Sequence, residues 1–189
     1  MKKIAIFASG NGTNLQRIAE YFKESDEIKV DIVIVNKKDA YAIERAKNLG
    51  IEYIYYNREE FYNSEKVLKT LMEREIDLIV LAGFLWLMPK NILKQFPNKI
   101  INIHPALLPK YGGKGMYGHH VHQAIVENKE KESGISIHFV NENYDEGEII
   151  FQAKCEVGPE DTAETLADKI HILEQEHFPK IIESVLGRK

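Results

Sequence analysis

Short apolar segments alternate with helical patterns along the first half of the chain, and this alternation limits the folds that the chain can adopt. The apolar segments are typical of short strands and comprise Ile4–Ala8, Val30–Val35, Ile51–Tyr56, Asp77–Ala82 and Ile100–Ile103. The segments between them have apolar residues at helical spacing and comprise Leu15–Phe22, Ala40–Leu49, Phe61–Glu75 and Met88–Phe96. Strands and helices in this order predict an α/β fold, an open and mostly parallel twisted sheet with helices on both faces.

The second half of the chain has a different pattern. A loop that contains Gly112, Gly113, Gly115 and Gly118 precedes a helix predicted over His119–Asn128. Two strands, Gly134–Val140 and Glu148–Val157, are separated only by a short loop and are therefore predicted to be antiparallel. A long helix is expected over Thr162–Leu186, with a break permitted at Pro179. No repeat or linker is visible, so we expect residues 1–189 to form a single domain.

The composition argues against several classes of protein. The chain has 25 Lys+Arg and 29 Asp+Glu, a net charge of −4, which gives no overall attraction to nucleic acid or to an anionic membrane. The single cysteine, Cys155, cannot form an internal disulfide. No apolar segment approaches the roughly 18 residues needed to span a bilayer, and the apolar residues after Lys3 are too few for a secretion signal. The sequence predicts a cytoplasmic protein.

A glycine-rich turn follows the first strand and begins the first helix. The backbone N–H groups around Gly10 and Gly12 are therefore expected to face an anion at the helix N-terminus, and Thr13 and Asn14 add side-chain donors. Leu15 stands where a dinucleotide fingerprint has its third glycine, so an isolated phosphate fits better than a dinucleotide. The simpler interpretation is a tight turn between strand and helix.

Asn102 and His104 are two residues apart in the fifth strand, so both side chains face the same side near its carboxyl end. Pro105 keeps the backbone of His104 extended. An amide beside an imidazole is able to stabilise negative charge on a carbonyl oxygen and to transfer a proton. The alternative is a structural histidine at the end of a strand.

The acidic loop Asn141–Gly147 is the third candidate site. A carboxylate that reaches His104 would orient the imidazole and raise its pKa. Gly147 permits a close backbone approach just after Asp145, but the spacing alone does not distinguish Asp145 from its acidic neighbours, which are Glu142, Glu146 and Glu148. A solvated turn is the usual role of such a loop.

Two further groups have a structural and a functional interpretation. His119, His120 and His122 lack the spacing of three or four residues that metal-binding pairs on a helix have, so we favour loop and helix-start histidines over a metal site. The apolar run Phe84–Met88 follows a strand; it forms either part of the core or the wall of a flat pocket.

Four segments together resemble the phosphoribosylglycinamide formyltransferases, folate-dependent enzymes of purine biosynthesis. The segments occur in the family's order along nearly the whole chain and are Ser9–Gln16, Leu81–Phe84, Asn102–Tyr111 and Tyr144–Gly147. Asn102–Tyr111 is shared with other folate formyltransferases and hydrolases, whereas Ser9–Gln16 points to the ribonucleotide enzymes. The resemblance implies a formyltransferase, Rossmann-like fold. It also implies that the formyl group of 10-formyltetrahydrofolate is transferred to the amine of 5′-phosphoribosylglycinamide, without a metal. The expected partners are these small molecules alone, and the expected assembly is a monomer or homodimer.

The resemblance also implies roles for individual residues. The positions that match the catalytic trio are Asn102, His104 and Asp145. The positions that match the ribonucleotide site are Gly12, Thr13, Asn14, Pro105 and Glu174. The positions that match the folate site are Leu85, Trp86, Leu87, Met88, Asn102, Asn141, Glu142, Asn143 and Tyr144. The sequence departs from the family at Glu146, which replaces a glycine, at Trp86, where many members have an arginine, and in the longer loop Gly112–His120.

Two other functions are compatible with parts of this pattern. A related enzyme would formylate an amino sugar or nucleotide sugar, or hydrolyse formylfolate. A non-catalytic module would bind folate or a nucleotide without turnover. The glycine-rich turn argues against an acceptor without a phosphate, and the pairing of His104 with Asn102 argues against a module without chemistry.

Overall fold

The computed structural model describes residues 1–187, and the strands among them form one seven-stranded sheet. The strands are β1 (Lys2–Ala8), β2 (Ile28–Val35), β3 (Tyr53–Tyr55), β4 (Leu78–Leu81), β5 (Ile100–His104), β6 (Glu132–Phe139) and β7 (Ile149–Glu156). Their order in the sheet is β3-β2-β1-β4-β5-β6-β7. The first five pair in parallel, whereas β6 is antiparallel to both β5 and β7. The predicted parallel sheet and antiparallel C-terminal pair are confirmed.

Helices cover both faces of this sheet, as predicted. They are α1 (Thr13–Tyr21), α2 (Ala42–Asn48), α3 (Arg58–Tyr62), α4 (Lys66–Glu73), α5 (Lys90–Gln95), α6 (His119–Glu127) and α7 (Ala163–Gly187). Apolar residues of α1, α2, α6 and α7 pack in one buried layer. Those of α3, α4 and α5 pack in a second layer, which contains Phe7, Ile32 and Ile79 from the strands. Because adjacent strand residues face opposite sides, the continuous apolar strands supply both layers.

The prediction of a single helix over Phe61–Glu75 is wrong, because two short helices, α3 and α4, occupy this part of the chain. Asn57 begins α3 with a capping box, in which its side chain accepts a hydrogen bond from the Glu60 N–H. The Ser64 hydroxyl then donates to the Glu60 carbonyl and accepts from the Lys66 N–H, at 2.5 and 3.2 Å. These local bonds compete with helix propagation and separate α3 from α4.

The break permitted at Pro179 does not occur, since α7 runs without interruption from Ala163 to Gly187. Proline has no N–H for the carbonyl four residues earlier, which belongs to Gln175. The Arg17 Nε donates to that carbonyl at 3.1 Å. A side chain of α1 thus replaces the missing backbone donor and helps the helix continue.

The carboxyl ends of β1, β4 and β5 are neighbours in the sheet, which brings the loops that follow them to one edge. None of the helices among residues 1–187 combines the length and the apolar character needed to cross a membrane. The single domain expected for residues 1–189 stays a prediction, and Arg188 and Lys189 lie outside the described residues.

Candidate active site

A cleft of about 570 Å³ lies at this edge of the sheet. The loop Ser9–Asn14 lines it beside β1, Leu81–Met88 beside β4, and Asn102–Pro105 beside β5. Asp145 from the loop before β7 and Glu174 from α7 complete its wall. Three predicted sites that are far apart in sequence therefore share one cleft.

The glycine-rich turn is held in a conformation that requires glycine at position 12. Gly12 precedes α1 with φ of 77°, and a Cβ on it would lie 2.9 Å from the Cα of Ala42. Arg45 also secures the turn, because its Nε donates to the Asn11 carbonyl at 2.8 Å. The N–H groups of Thr13 and Asn14 have no acceptor within the helix, so the start of α1 provides backbone donors at the cleft.

Asn14 and Glu174, two residues of the predicted ribonucleotide site, meet within the cleft. The Asn14 Nδ2 donates to Glu174 Oε2 at 3.1 Å. His171 Nδ1 lies 3.3 Å from the same oxygen, and this hydrogen bond is the main reason that the pKa of His171 is raised. The Oδ1 of Asn14 is buried without a hydrogen-bond partner among the described residues. One carboxylate thus accepts hydrogen bonds from two elements, and one amide oxygen is left for a donor from outside the protein.

His104 lies buried next to Asp145. Its Nε2–H donates to the Tyr111 carbonyl at 2.7 Å, so the neutral ring has its lone pair on Nδ1. Nδ1 is 3.5 Å from Asp145 Oδ2. The same carboxylate oxygen accepts the N–H of Gly113 at 3.0 Å. A proton taken up at Nδ1 would therefore face an oriented carboxylate.

A second buried histidine, His138, holds the amide of Asn102. The two residues are opposite each other in the β5–β6 pairing. His138 Nδ1 donates to the Phe139 carbonyl at 2.8 Å, which leaves Nε2 to accept from Asn102 Nδ2 at 3.1 Å. The same Asn102 nitrogen is 3.5 Å from Asp145 Oδ1. These contacts define which end of the Asn102 side chain is the donor.

The electrostatics favour a neutral imidazole beside an ionised carboxylate. Burial lowers the pKa of His104, and the Asp145 carboxylate and Tyr111 carbonyl offset only part of that effect. Burial alone would raise the pKa of Asp145, but contact with His138, the positive charge that His104 carries when it is protonated and the Gly113 N–H together lower it. His104 is therefore a proton acceptor at neutral pH, with a carboxylate placed to stabilise its acid form.

The predicted folate residues are only partly brought together. Leu85, Trp86, Leu87, Met88, Asn143 and Tyr144 line the cleft, and the Tyr144 hydroxyl is 3.5 Å from the Leu85 carbonyl. Asn141 and Glu142 are exposed and are absent from the cleft wall. The Asn141 side chain instead accepts the N–H of Asn143 at 2.9 Å and so shapes the turn.

The three neighbouring histidines differ in position. His119 and His120 are exposed, whereas His122 is buried at the cleft wall and its Nδ1 lacks a partner among the described residues. Burial lowers the pKa of His122. Within residues 1–187, no group of three or more His, Cys, Asp or Glu side chains is arranged to hold a metal ion.

His138 and His171 belong to the cleft but were not predicted from the sequence. Ser136 and His138 are polar residues at a spacing of two among the isoleucines of β6, a pattern that places both on one face of the strand. The pairing of β6 with β5 has no comparable signal in the sequence, and only this pairing brings His138 to Asn102. His171 precedes Glu174 by three residues on a helix, a spacing that brings side chains together.

Comparison with known proteins supports the same grouping. Residues 2–182 match the family described as Formyl transferase. The chain belongs to the formyl transferase family. It is 39% identical to the phosphoribosylglycinamide formyltransferase of Haemophilus influenzae, over 97% of this chain and 86% of that protein. The enzyme of the same name from Bacillus subtilis is 35% identical, over 99% of this chain and 96% of its own length.

Other relatives of this formyl transferase extend the comparison. It is 39% identical to the chloroplastic phosphoribosylglycinamide formyltransferase of Arabidopsis thaliana, and spans 64% of the length of that relative. The crystal structure of phosphoribosylglycinamide formyltransferase from Bacillus halodurans superposes with a TM-score of 0.88 at 34% identity, over 99% of this chain and 96% of that one. The resemblance and the fold predicted from the sequence are confirmed.

Proposed function

We propose that the protein transfers the formyl group of 10-formyltetrahydrofolate to the amine of 5′-phosphoribosylglycinamide. The products are 5′-phosphoribosyl-N-formylglycinamide and tetrahydrofolate, in the synthesis of purine nucleotides. The observation that carries the proposal is that one cleft contains both the donors of the glycine-rich turn and the group formed by Asn102, His104 and Asp145. The names and coverage of the relatives support the same reaction.

The reaction forms one C–N bond and breaks another. The glycyl amine attacks the formyl carbon on N10 of the folate, and a tetrahedral intermediate with a negatively charged oxygen results. The Nδ2–H of Asn102, whose 3.5 Å contact with Asp145 is long, turns to that oxygen and stabilises it. The bond to N10 then breaks, and tetrahydrofolate leaves.

His104 carries out the proton transfer in this proposal. Its neutral Nδ1 accepts the proton released by the attacking amine, and Asp145 stabilises the imidazolium. The proton then passes to N10 of the leaving folate, directly or through a water. No covalent enzyme intermediate is needed, and much of the rate enhancement comes from binding both substrates in one cleft.

The two substrates occupy opposite sides of the catalytic group in this proposal. Gly12, Thr13 and Asn14 bind the phosphate, Pro105 contacts the ribonucleotide, and Glu174 accepts hydrogen bonds from the ribose. The folate lies against Leu85–Met88, near Asn143 and Tyr144. The Asn141 side chain shapes the loop that carries Asn143 and Tyr144, and Glu142 lies exposed beside it.

The function is tested by formyl transfer followed spectrophotometrically, with 10-formyltetrahydrofolate or a stable deaza analogue as the donor. We expect free folate to be released only when the ribonucleotide is present. Release without the acceptor would identify a formylfolate hydrolase. No release with a donor known to be active would contradict the proposal and favour another acceptor or a module without turnover.

Three further features belong to the proposal. Residues 1–189 act as a single domain, in the cytoplasm. The assembly is a monomer or homodimer, with small molecules as its only partners. The folate is a co-substrate, and no metal takes part.

A further inference from the structure

The segment Tyr111–Gly113, in the loop after β5, contacts both members of the pair formed by His104 and Asp145. The Tyr111 carbonyl accepts the Nε2–H of His104 at 2.7 Å. Two residues later, the Gly113 N–H donates to Asp145 Oδ2 at 3.0 Å. The position of this one segment therefore affects the imidazole and the carboxylate together.

The proton on the neutral His104 ring has two acceptors within reach. One is the Tyr111 carbonyl, 2.7 Å from Nε2, and the other is Asp145 Oδ2, 3.5 Å from Nδ1. A carboxylate is the stronger acceptor at equal distance, because hydrogen bonds to ionised groups are roughly twice as strong as those between neutral groups. The proton is on Nε2 because the carbonyl is at the better distance. A ring with its proton on Nδ1 would donate to Asp145 and would have no lone pair there to accept a proton.

Tyr111 holds its carbonyl in this position with an unfavourable backbone conformation. Its φ of 56° is in the left-handed region, which disfavours residues other than glycine. Such a conformation persists where other contacts fix the residue. For Tyr111 a contact of this kind comes from the side chain, whose hydroxyl donates to Glu130 Oε1 at 2.9 Å. Tyr111 thus connects Glu130, through its side chain, to His104, through its backbone.

Glu130 is a fixed anchor, because the end of α6 determines the course of its backbone. Lys129 has φ of 54°, and its N–H donates to the Val126 carbonyl at 3.0 Å. The Glu130 N–H donates to the Ile125 carbonyl at 3.2 Å. These two bonds form a Schellman motif, which ends the helix and orients the residues that follow. The hydrogen bond from Tyr111 is the main reason that the pKa of Glu130 is lowered, so the anchor is an ionised acceptor.

We propose that Glu130 and Tyr111 are positioning residues for His104, although neither of them lines the cleft. Glu130 fixes the side chain of Tyr111, the Tyr111 carbonyl keeps the His104 proton on Nε2, and Nδ1 is left free to accept a proton. The inference rests on the proposed function for the use that the reaction makes of Nδ1. The location of the ring proton does not depend on which substrates the cleft binds.

The test compares two tyrosine-to-phenylalanine variants. Tyr111→Phe removes the hydroxyl that reaches Glu130 and keeps the ring. Tyr21→Phe is the matched control, because the Tyr21 hydroxyl donates to Glu183 Oε2 at 3.0 Å outside the cleft wall. We expect Tyr111→Phe to lower kcat for formyl transfer about three- to tenfold, the range that corresponds to one hydrogen bond, and to leave both KM values unchanged. Tyr21→Phe should keep the kcat of the wild type.

The second readout is the tautomer of His104, which a merely structural role would not change. Nuclear magnetic resonance of protein that contains isotope-labelled histidine distinguishes a protonated from an unprotonated ring nitrogen, and His104→Gln identifies the signals of this residue. We expect the proton on Nε2 in the wild type and in Tyr21→Phe. In Tyr111→Phe a fraction of the molecules should have it on Nδ1. Glu130→Gln keeps a neutral acceptor, so it should change the tautomer less than Glu130→Ala does.

The proposal is overturned if Tyr111→Phe keeps the wild-type tautomer, whatever its kcat, or if the wild type itself has the proton on Nδ1. An equal decrease of kcat in Tyr21→Phe would also overturn it, because the effect would then follow from lost stability alone. Should Tyr111→Phe fail to fold, Glu130→Gln decides by the same two measurements. A wild type that transfers no formyl group would contradict the proposed function, whereas the tautomers of the variants would still decide the positioning role.

Discussion

Replacing Gly12 by alanine tests whether the backbone of the glycine-rich turn is as tightly constrained as the structure indicates. Its φ of 77° is in the left-handed region, where an L-residue is disfavoured by about 1–2 kcal/mol. The new Cβ would also lie 2.9 Å from both the Cα and the Cβ of Ala42. Overpacking of this kind costs about 1–3 kcal/mol. We therefore expect Gly12→Ala to lower the free energy of unfolding by about 2–5 kcal/mol.

The same turn contains a matched control. Gly10 has no positive φ, and a Cβ on it would have no atom within 4 Å. For a chain of this length, the expected loss corresponds to a decrease in Tm of roughly 5–20 °C for Gly12→Ala, whereas Gly10→Ala should leave Tm nearly unchanged. Thermal unfolding followed by circular dichroism measures both variants. Equal melting temperatures for the two would refute the reasoning from φ and from the contact with Ala42.

Three further predictions concern the catalytic and binding side chains. His104→Ala should lower turnover by about a hundredfold or more while the protein stays folded, because the proton acceptor is lost; near-normal turnover in a steady-state assay would remove this histidine from the mechanism. Asn14→Ala should raise the KM for the ribonucleotide far more than the KM for the folate, and equal increases would mean that the Asn14 side chain does not bind the ribonucleotide. The third prediction is that stability depends on pH through His104. The pKa of His104 in the folded protein is below its usual value of 6.5, so the unfolded chain binds the proton more readily. This residue therefore reduces the free energy of unfolding as the pH falls below 6.5 and has no such effect above it. Asp145 acts in the same direction at lower pH, since its lowered pKa adds stability above its usual value of 3.8 that is lost on further acidification. Wild-type Tm should therefore decrease between pH 7.5 and 5.5 by more than the Tm of His104→Gln, and parallel curves would contradict the assignment.

The elements that could be predicted are those whose signal is local. The strands β1, β2 and β4 contain the continuous apolar segments Ile4–Ala8, Ile32–Val35 and Leu78–Leu81, and the burial of these segments on both faces follows from that composition. The prediction was wrong between Phe61 and Glu75, where Ser64 and the cap at Asn57 interrupt a plausible helical pattern. At Pro179, the helix continues with the help of Arg17, a residue far away in sequence, so no local rule could have predicted it.

In the candidate site, too, the features with a local sequence signal could be predicted, and those that depend on distant residues could not. The spacing of Asn102 and His104 is enough to place both side chains on one side of β5. The choice of Asp145 over Glu142, Glu146 and Glu148 required the family resemblance, because each of them was within reach on sequence alone. In the structure, Asp145 has φ of 56°, and the close packing of Gly147 against the Phe139 carbonyl holds the loop beside His138. That contact exists only because β6 and β7 pair.

The sequence alone was sufficient to predict the α/β class, the glycine-rich turn before a helix and the strand face that Asn102 and His104 share. Each of these features depends on residues that are close together in sequence. Tertiary structure was required for the antiparallel position of β6 beside β5 and for the His138–Asn102 contact. These contacts join residues that are far apart in sequence. Their existence follows from strand order and register, which apolar periodicity does not specify.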